Sequence, residues 1–219
     1  GGAQAATAIA EHFRDRGLNV LLILDSLTRF CMALREVGLA LGEPPATKGY
    51  PPSVFATLPR LLERVAPRAG GGAITGFFTV LVEGDDMADP VADSAKSLLD
   101  AHIVLSRDLA GRGHFPAIDV LTSASRVAQQ VASTTMRRLA SSARSMLARR
   151  HQAQELQALG AYNPGANPTL DTALAIGERF DTWAKQTPQE RSDIESTIRE
   201  ITGGRVAAID SVGSGVRSR

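Results

Sequence analysis

The sequence has few of the features that mark secreted, membrane-spanning or disulfide-stabilised proteins. Among its 219 residues there is one cysteine, Cys31, which excludes an intramolecular disulfide and fits a reducing compartment. Cys31 lies in an apolar stretch, which favours a buried small side chain over a nucleophile. No apolar run approaches the ~20 residues that cross a bilayer, since the longest, from Val20 to Leu24, has only the length of a strand. The first residues show no basic-then-apolar signal pattern, and we interpret them as the middle of a longer chain.

Charge of either sign is not in excess. Lysine and arginine number 24 against 23 acids, a formal net charge of +1, so we expect no nucleic-acid partner from the global charge. One stretch is nevertheless basic, since no acid occurs between Val127 and Gln154. Binding of nucleic acid and a solvated or subunit-facing helix are both open, and the lack of interleaved aromatic residues favours the second. The arginines concerned are Arg137, Arg138, Arg144, Arg149 and Arg150.

The first 127 residues are predicted to form an α/β domain. Apolar, β-branched and aromatic runs predict strands at residues 19–24, 73–82 and 102–105, and helices are expected between them. The first strand is apolar on both faces, which is typical of a central parallel strand covered by helices. Ser53 is expected to cap a helix that ends near residue 65, and Asp89 before Pro90 is expected to cap the next helix. Alternating strands and helices indicate a mostly parallel sheet.

Residues 128–219 are predicted to form a helical domain. The chain contains no glycine or proline from Arg126 to Leu159, and a turn signal at Asn163 to Gly165 then separates two further helices at residues 169–185 and 188–202. The tail from about residue 204 is rich in glycine, serine and valine and is expected to fray.

A strand that ends in an acid is the first functional signal. Val20 to Leu24 is followed by Asp25, and such a strand delivers a carboxylate to the sheet edge where ligands bind. In P-loop ATPases a carboxylate in this place holds Mg²⁺, usually through water. The alternative is that Asp25 or Ser26 simply caps the following helix.

Longer motifs around this strand give the sequence a specific resemblance. In chain order, the motifs are Asp25-Ser26-Leu27-Thr28-Arg29-Phe30, the run from Gly42 through Pro44, Lys48 and Tyr50 to Phe55, Val82 to Pro90, His102 to Arg107, His114 to Val120, and Ser123-Ala124-Ser125-Arg126. With these motifs the sequence closely resembles the export ATPases of flagellar and type III secretion systems, whose wider kin are the subunits of rotary ATP synthases. The resemblance is nearly continuous from residue 6 to 127 and looser beyond.

The resemblance implies an architecture, cofactors and partners. It implies a RecA-like core, here partial, with a mostly parallel sheet, flanking helices and a C-terminal helical domain. ATP and Mg²⁺ are the implied cofactors, and a hexameric ring is the implied assembly. Export chaperones, stalk and regulator proteins are the implied partners. The implied location is the cytoplasm, at the inner face of the membrane. The resemblance implies that the export gate provides this peripheral association.

The resemblance also implies roles for four residues. Asp25 matches the Walker B aspartate that positions Mg²⁺, and Arg29 matches an arginine near the terminal phosphate. Phe115 matches the aromatic residue that packs on adenine, although a core phenylalanine beside Pro116 is an equal alternative. Arg126 matches the arginine finger given to the neighbouring subunit's site, where a guanidinium suits a phosphoryl group that spreads its charge. Arg29 as a surface arginine and Arg126 as an ordinary helix-opening base remain the alternatives.

A cluster of acids invites a metal interpretation that the spacing does not favour. Asp85, Asp86 and Asp89 lack the glycine and distal glutamate of a calcium loop. We interpret the loop as structural or interfacial.

One essential motif is missing. No Gly-x-x-x-x-Gly-Lys string followed by Ser or Thr occurs, so the chain carries no phosphate-binding loop. We therefore predict that this chain alone neither binds ATP tightly nor hydrolyses it. The resemblance implies that the full-length protein is an ATP hydrolase that energises export. A rotary ATP synthase subunit and a non-catalytic docking module for a chaperone or stalk protein are the alternatives.

Overall fold

The computed structural model describes residues 1–86, 88–163, 165 and 167–202. The predicted frayed tail lies outside these residues. The chain divides into two compact units, of which the first ends at Asp100 and the second begins at Ala101. Within the described residues, no helix is long and apolar enough to cross a membrane.

The first unit alternates helices and strands as the sequence pattern predicts. Two single turns of 3₁₀ helix, Thr47–Gly49 and Glu83–Asp85, lie in its loops. Its regular elements are α1 (Gly2–Asp15), β1 (Val20–Leu24), α2 (Leu27–Ala40), α3 (Pro52–Leu62), β2 (Ile74–Phe78) and α4 (Pro90–Leu98).

The strands β1 and β2 form a parallel pair, with Val20 opposite Ile74 and Leu24 opposite Phe78. The expectation that β1 is covered on both faces is wrong for this chain, because Leu22 is buried while Leu21 and Ile23 are 61% and 67% exposed. The pattern nevertheless reports the strand correctly. An apolar run of this kind specifies burial in a complete sheet, and two strands cannot supply it.

The core of the first unit is a cluster of apolar side chains between α2, α3 and α4. Leu27, Val54, Leu58 and Val91 have no exposed surface, and the thiol-bearing Cys31 is equally buried. Burial raises the pKa of the Cys31 thiol to about 11, so the thiolate is disfavoured at neutral pH. The prediction that Cys31 is a buried small side chain is therefore confirmed.

Helix capping follows the sequence at one site and departs from it at another. The Asp89 carboxylate accepts hydrogen bonds from the amides of Val91 and Ala92, which confirms it as the N-cap of α4. The expectation that Ser53 caps α3 is wrong, because the helix already begins at Pro52 with Pro51 as its N-cap. Proline fits the first helical turn, where an amide has no partner, so α3 starts earlier than a serine cap would place it.

The second unit combines an antiparallel strand pair with long helices. Its elements are β3 (Ala101–Leu105), α5 (Arg107–Gly111), β4 (Ile118–Ser125), α6 (Ala128–Val131), α7 (Thr134–Ala158), α8 (Pro168–Ala184) and α9 (Ile194–Thr202). Strands β3 and β4 pair with Ala101 opposite Ser125, and a bulge follows His102. The strand β4 and the short α5 were not expected from the sequence.

The helical part differs from its expectation in two places. The helix after Arg126 is interrupted at Ala132, where the backbone is extended, and it restarts with the Ser133 hydroxyl accepting a hydrogen bond from the Met136 amide. A serine competes for backbone donors and so favours this second start over one continuous helix. The last helix begins at Ile194, later than the proline at 188 suggested.

An arginine joins α7 to α8. The Arg150 guanidinium donates to the Gly177 carbonyl at 2.9 Å and pairs with Asp181 at 2.5 Å, while its side chain is only 15% exposed. Only glycine fits at 177, because a Cβ there would come within 2.1 Å of Arg150 Cδ. The expectation of a solvated or subunit-facing basic face is therefore wrong for Arg150, whose charge is neutralised inside this unit.

Candidate functional site

Asp25 lies at the carboxyl edge of the parallel strand pair. It directly follows the last residue of β1, and Thr79 directly follows the last residue of β2. The Asp25 side chain is exposed, and it lines a cavity of about 580 Å³ together with residues of α1 and α2. This edge is where ligands bind in open α/β sheets.

The Asp25 carboxylate has one oxygen occupied and one open. Thr79 Oγ1 donates to Asp25 Oδ1 at 2.6 Å. Among the described residues, none makes a hydrogen bond or an ion pair with Asp25 Oδ2. An exposed carboxylate with a free oxygen fits Mg²⁺, which prefers oxygen ligands and keeps several of its own waters. The donor set therefore accommodates the ion that the resemblance implies.

Ser26, and not Asp25, caps the helix that follows the strand. The Ser26 hydroxyl accepts a hydrogen bond from the Arg29 amide at 3.2 Å, and Ser26 is 3% exposed. Capping by Ser26 leaves the neighbouring carboxylate directed to the sheet edge. Ser26 serves as the helix cap, so the Asp25 carboxylate is not needed for capping. A helix cap at this turn is therefore compatible with the functional interpretation of Asp25.

Arg29 lies in the first turn of α2, on the same strand-to-helix turn as Asp25. It is exposed, and within the described part of the chain its guanidinium makes no hydrogen bond or ion pair. A cation without an internal partner beside an exposed carboxylate can meet an anion such as a phosphate.

The acidic loop makes an ion pair rather than a metal cluster. Lys48 Nζ lies 2.5 Å from Asp86 Oδ2, and this contact lowers the pKa of Asp86 and raises that of Lys48. Asp89 is used as the cap of α4. In the described residues no group of three potential ligands could hold a metal, and the side chain of Asp85 lies outside them.

Phe115 lies in the second unit and is 55% exposed, which does not fit a core residue. Its backbone is held in place, because its carbonyl accepts a hydrogen bond from the Gln186 amide at 2.8 Å. The neighbouring His114 is buried. An exposed aromatic ring on a fixed backbone is a surface on which a planar base can stack.

Arg126 directly follows β4 and is exposed. The end of this strand is held by Arg144, which donates to the carbonyls of Leu121 and Ser123. Arg144 is thus a second member of the basic stretch that binds within the unit. Phe115 precedes β4 and Arg126 follows it.

The sequence analysis did not identify three residues that hold the candidate site residues or their neighbouring backbone in place. Thr79 binds the Asp25 carboxylate, Gln186 binds the Phe115 carbonyl, and Arg144 binds the end of β4. Only the threonine left a usable signal, since a polar residue that ends a strand beside the aspartate's strand reaches the same sheet edge.

Comparison with known proteins gives the family. Residues 2–125 match the ATP synthase alpha/beta family, nucleotide-binding domain, and residues 132–203 match the T3SS EscN ATPase C-terminal domain. The type 3 secretion system ATPase of Sinorhizobium fredii is 54% identical over 90% of this chain and 43% of its own length. The flagellum-specific ATP synthase of Pseudomonas aeruginosa is 56% identical over 89% of this chain and 43% of its own length.

A solved structure shares the fold. The assembled ATPase EscN of the enteropathogenic E. coli type III secretion system superposes with a TM-score of 0.87 at 44% identity, over 92% of this chain and 49% of that one. EscN is also known in complex with its central stalk EscO. The chain spans less than half the length of the curated relatives it matches. With more than half of its residues matching the family's nucleotide-binding domain, this chain belongs to the ATP synthase alpha/beta family, among its flagellar and type III secretion ATPases.

Proposed function

We propose that this chain is the C-terminal part of an ATP-hydrolysing subunit that energises protein export in a flagellar or type III secretion system. The observation that carries the proposal is Asp25, exposed at the carboxyl edge of β1 with one carboxylate oxygen open. The match of residues 132–203 to the EscN C-terminal domain supports an export ATPase over a rotary synthase.

Four side chains have distinct roles in the proposed reaction. Asp25 holds Mg²⁺ through water, and Arg29 contacts the terminal phosphate. Phe115 stacks on the adenine ring and gives binding without reading the edge of the base. A magnesium ion held there would supply positive charge to the phosphates. Arg126 acts in trans, because a charged guanidinium beside a phosphoryl group stabilises negative charge as it spreads over three oxygens.

The subunits form a homo-oligomeric ring, a hexamer, in which each nucleotide site is shared between neighbours. The assembled form of EscN and its complex with a central stalk support a ring that binds a stalk protein. Export chaperones and regulator proteins complete the proposed partners. The ring works in the cytoplasm, docked at the inner face of the membrane.

A mixing experiment with the full-length protein tests the shared site. Asp25→Asn and Arg126→Ala each reduce ATP turnover, the second by about 10³-fold or more, while nucleotide binding persists in the Arg126 variant. When the two inactive variants are mixed, hybrid rings contain sites with an intact Asp25 on one side and an intact Arg126 on the other. Recovery of turnover in the mixture is the expected result.

The control and the contrary outcome are both defined. Arg179→Ala removes an exposed arginine from α8 and leaves turnover unchanged. Normal turnover in either single variant contradicts the assigned role, and two inactive variants that never complement each other contradict the arrangement in trans.

The chain of 219 residues without a phosphate-binding loop remains predicted to be inactive alone. Titration with a fluorescent ATP analogue is expected to show no saturation in the micromolar range. Tight binding would contradict this prediction.

A further inference from the structure

Thr79 is tied to the turn after β1 by three hydrogen bonds. Its amide donates to the Leu24 carbonyl at 3.2 Å, and its carbonyl accepts from the Leu27 amide at 2.9 Å. Its hydroxyl donates to Asp25 Oδ1 at 2.6 Å. The Thr79 backbone thus binds the residues before and after Asp25, and the Thr79 side chain binds the Asp25 carboxylate.

A second threonine joins the same two segments, which are the start of α2 and the residues that follow β2. Thr28 Oγ1 donates to the Leu81 carbonyl at 3.2 Å and accepts from the Leu81 amide at 2.8 Å. The backbone around Thr79 is therefore held on both sides of the residue. Because β-branching restricts χ1, a fixed backbone also fixes the direction of the Thr79 hydroxyl.

An exposed aspartate without such a contact would have a freely rotating carboxylate. Asp25 lies at the surface, so solvent alone would not select one orientation of its carboxylate plane. The single hydroxyl proton of Thr79 occupies Oδ1 and leaves Oδ2 available. Hydrogen bonds of this kind orient ligand groups before the metal arrives, and their loss typically costs 10–100-fold in metal affinity or activity.

We propose that Thr79 is a positioning residue that orients the Asp25 carboxylate for the magnesium-bound nucleotide. The inference rests on the proposed function, since it assigns Asp25 to the metal. In this role Thr79 acts through its hydrogen bond to the aspartate.

The competing explanation is that the hydroxyl only fastens β2 to the neighbouring turn. The substitution Thr79→Val separates the two explanations, because it keeps the branched shape and both backbone hydrogen bonds while it removes the hydroxyl donor. Since the carboxylate is exposed, loss of the donor leaves no buried group without a partner, and thermal stability should change little.

The experiment measures metal binding at equilibrium in the full-length protein. Mn²⁺ replaces Mg²⁺, and its binding to the ADP complex is followed by electron paramagnetic resonance. Thr79→Val is expected to weaken Mn²⁺ binding about tenfold, whereas Thr79→Ser restores most of it. Binding of ADP in the presence of EDTA, and the thermal midpoint, stay at the wild-type values. Thr75→Val, on an exposed position of β2, is the matched control and leaves Mn²⁺ binding unchanged.

An Asp25→Asn variant in the same assay separates failure of the inference from failure of the proposed function. If Asp25→Asn weakens Mn²⁺ binding and Thr79→Val does not, the positioning role is wrong while the metal site stands. If Asp25→Asn leaves Mn²⁺ binding unchanged, the proposed metal site itself is wrong. Equal losses in Thr79→Val and Thr79→Ser would also overturn the role of the hydroxyl.

Discussion

The two compact units reach their structures by different forces. In the first unit, four large side chains of α2, α3 and α4 are buried completely in one apolar cluster. In the second, only His114, Ala153, Ala173 and Gly177 are buried among its described residues, and arginines bridge its elements. The unit with Asp25 therefore has a core that water does not reach. The unit with Arg126 depends on charged contacts that pH and salt can alter.

The largest expected effect is on the apolar core of the first unit. Leu58→Ala removes a side chain with no exposed surface and leaves a cavity among α2, α3 and α4. The free energy of unfolding should fall by about 2–5 kcal/mol, measured by urea unfolding of the chain followed by far-UV circular dichroism. Leu41→Ala, at a position 78% exposed, is the control and should change it by less than about 0.5 kcal/mol. Equal losses in both variants would contradict the assignment of the core.

A somewhat smaller effect is expected where α7 meets α8. Arg150→Met keeps the apolar stem but leaves Asp181 and the Gly177 carbonyl without their donor. A fully buried pair broken in this way costs about 3–5 kcal/mol. Because the Asp181 side chain is 38% exposed, solvent screens its charge and we expect about 1–3 kcal/mol. The only tryptophan, Trp183 on α8, reports this transition by fluorescence.

Arg149→Met is the matched control for this arginine. Arg149 is exposed and has no hydrogen bond or ion pair within the described residues, so its loss should leave the Trp183 transition in place. If both methionine variants behave alike, net charge and not the specific pair stabilises the second unit.

The same pair predicts how acid acts on the second unit. The hydrogen bond from Arg150 holds the pKa of Asp181 below its usual 3.8. A carboxyl whose folded pKa is lowered stabilises the fold above its unfolded pKa, and this stabilisation is lost as pH falls through the folded value. As pH falls below about 3.8, the wild-type Trp183 transition should therefore weaken more than that of Arg150→Met. Parallel curves for the two proteins would show that Asp181 is not the group that titrates.

The smallest effect is expected in the loops of the first unit. Lys48 has a φ of 48°, in the left-handed region that favours glycine, and its ammonium pairs with Asp86 at the surface. Lys48→Gly and Lys48→Ala both remove the pair, but only glycine removes the backbone strain. The glycine variant should therefore melt about 2–4 °C above the alanine variant by calorimetry. An alanine variant of equal or higher Tm would contradict the strain.

The sequence predicted the strand and helix order of the first unit well, because apolar periodicity and punctuation by glycine and proline agree there. Asp25 and the N-cap Asp89 were found for the same reason, since each follows or precedes an element that the pattern delimits. The strand β4 was missed because half of its residues are polar and it pairs only with β3. The sequence did not predict which arginines form ion pairs within the unit. Arg149 and Arg150 are indistinguishable in sequence, although Arg149 is exposed and Arg150 is paired with Asp181.

By itself, the amino-acid sequence determined the class of the fold, the strand that presents Asp25, the family, and the absence of a phosphate-binding loop. All of these depend on residues that are close together along the chain. Only the tertiary structure decided that Thr79 holds the Asp25 carboxylate, that Gln186 holds the Phe115 backbone and that Arg150 binds Asp181. The physical reason is that a hydrogen bond between residues 31 to 71 positions apart needs a distance near 3 Å, which no local pattern encodes.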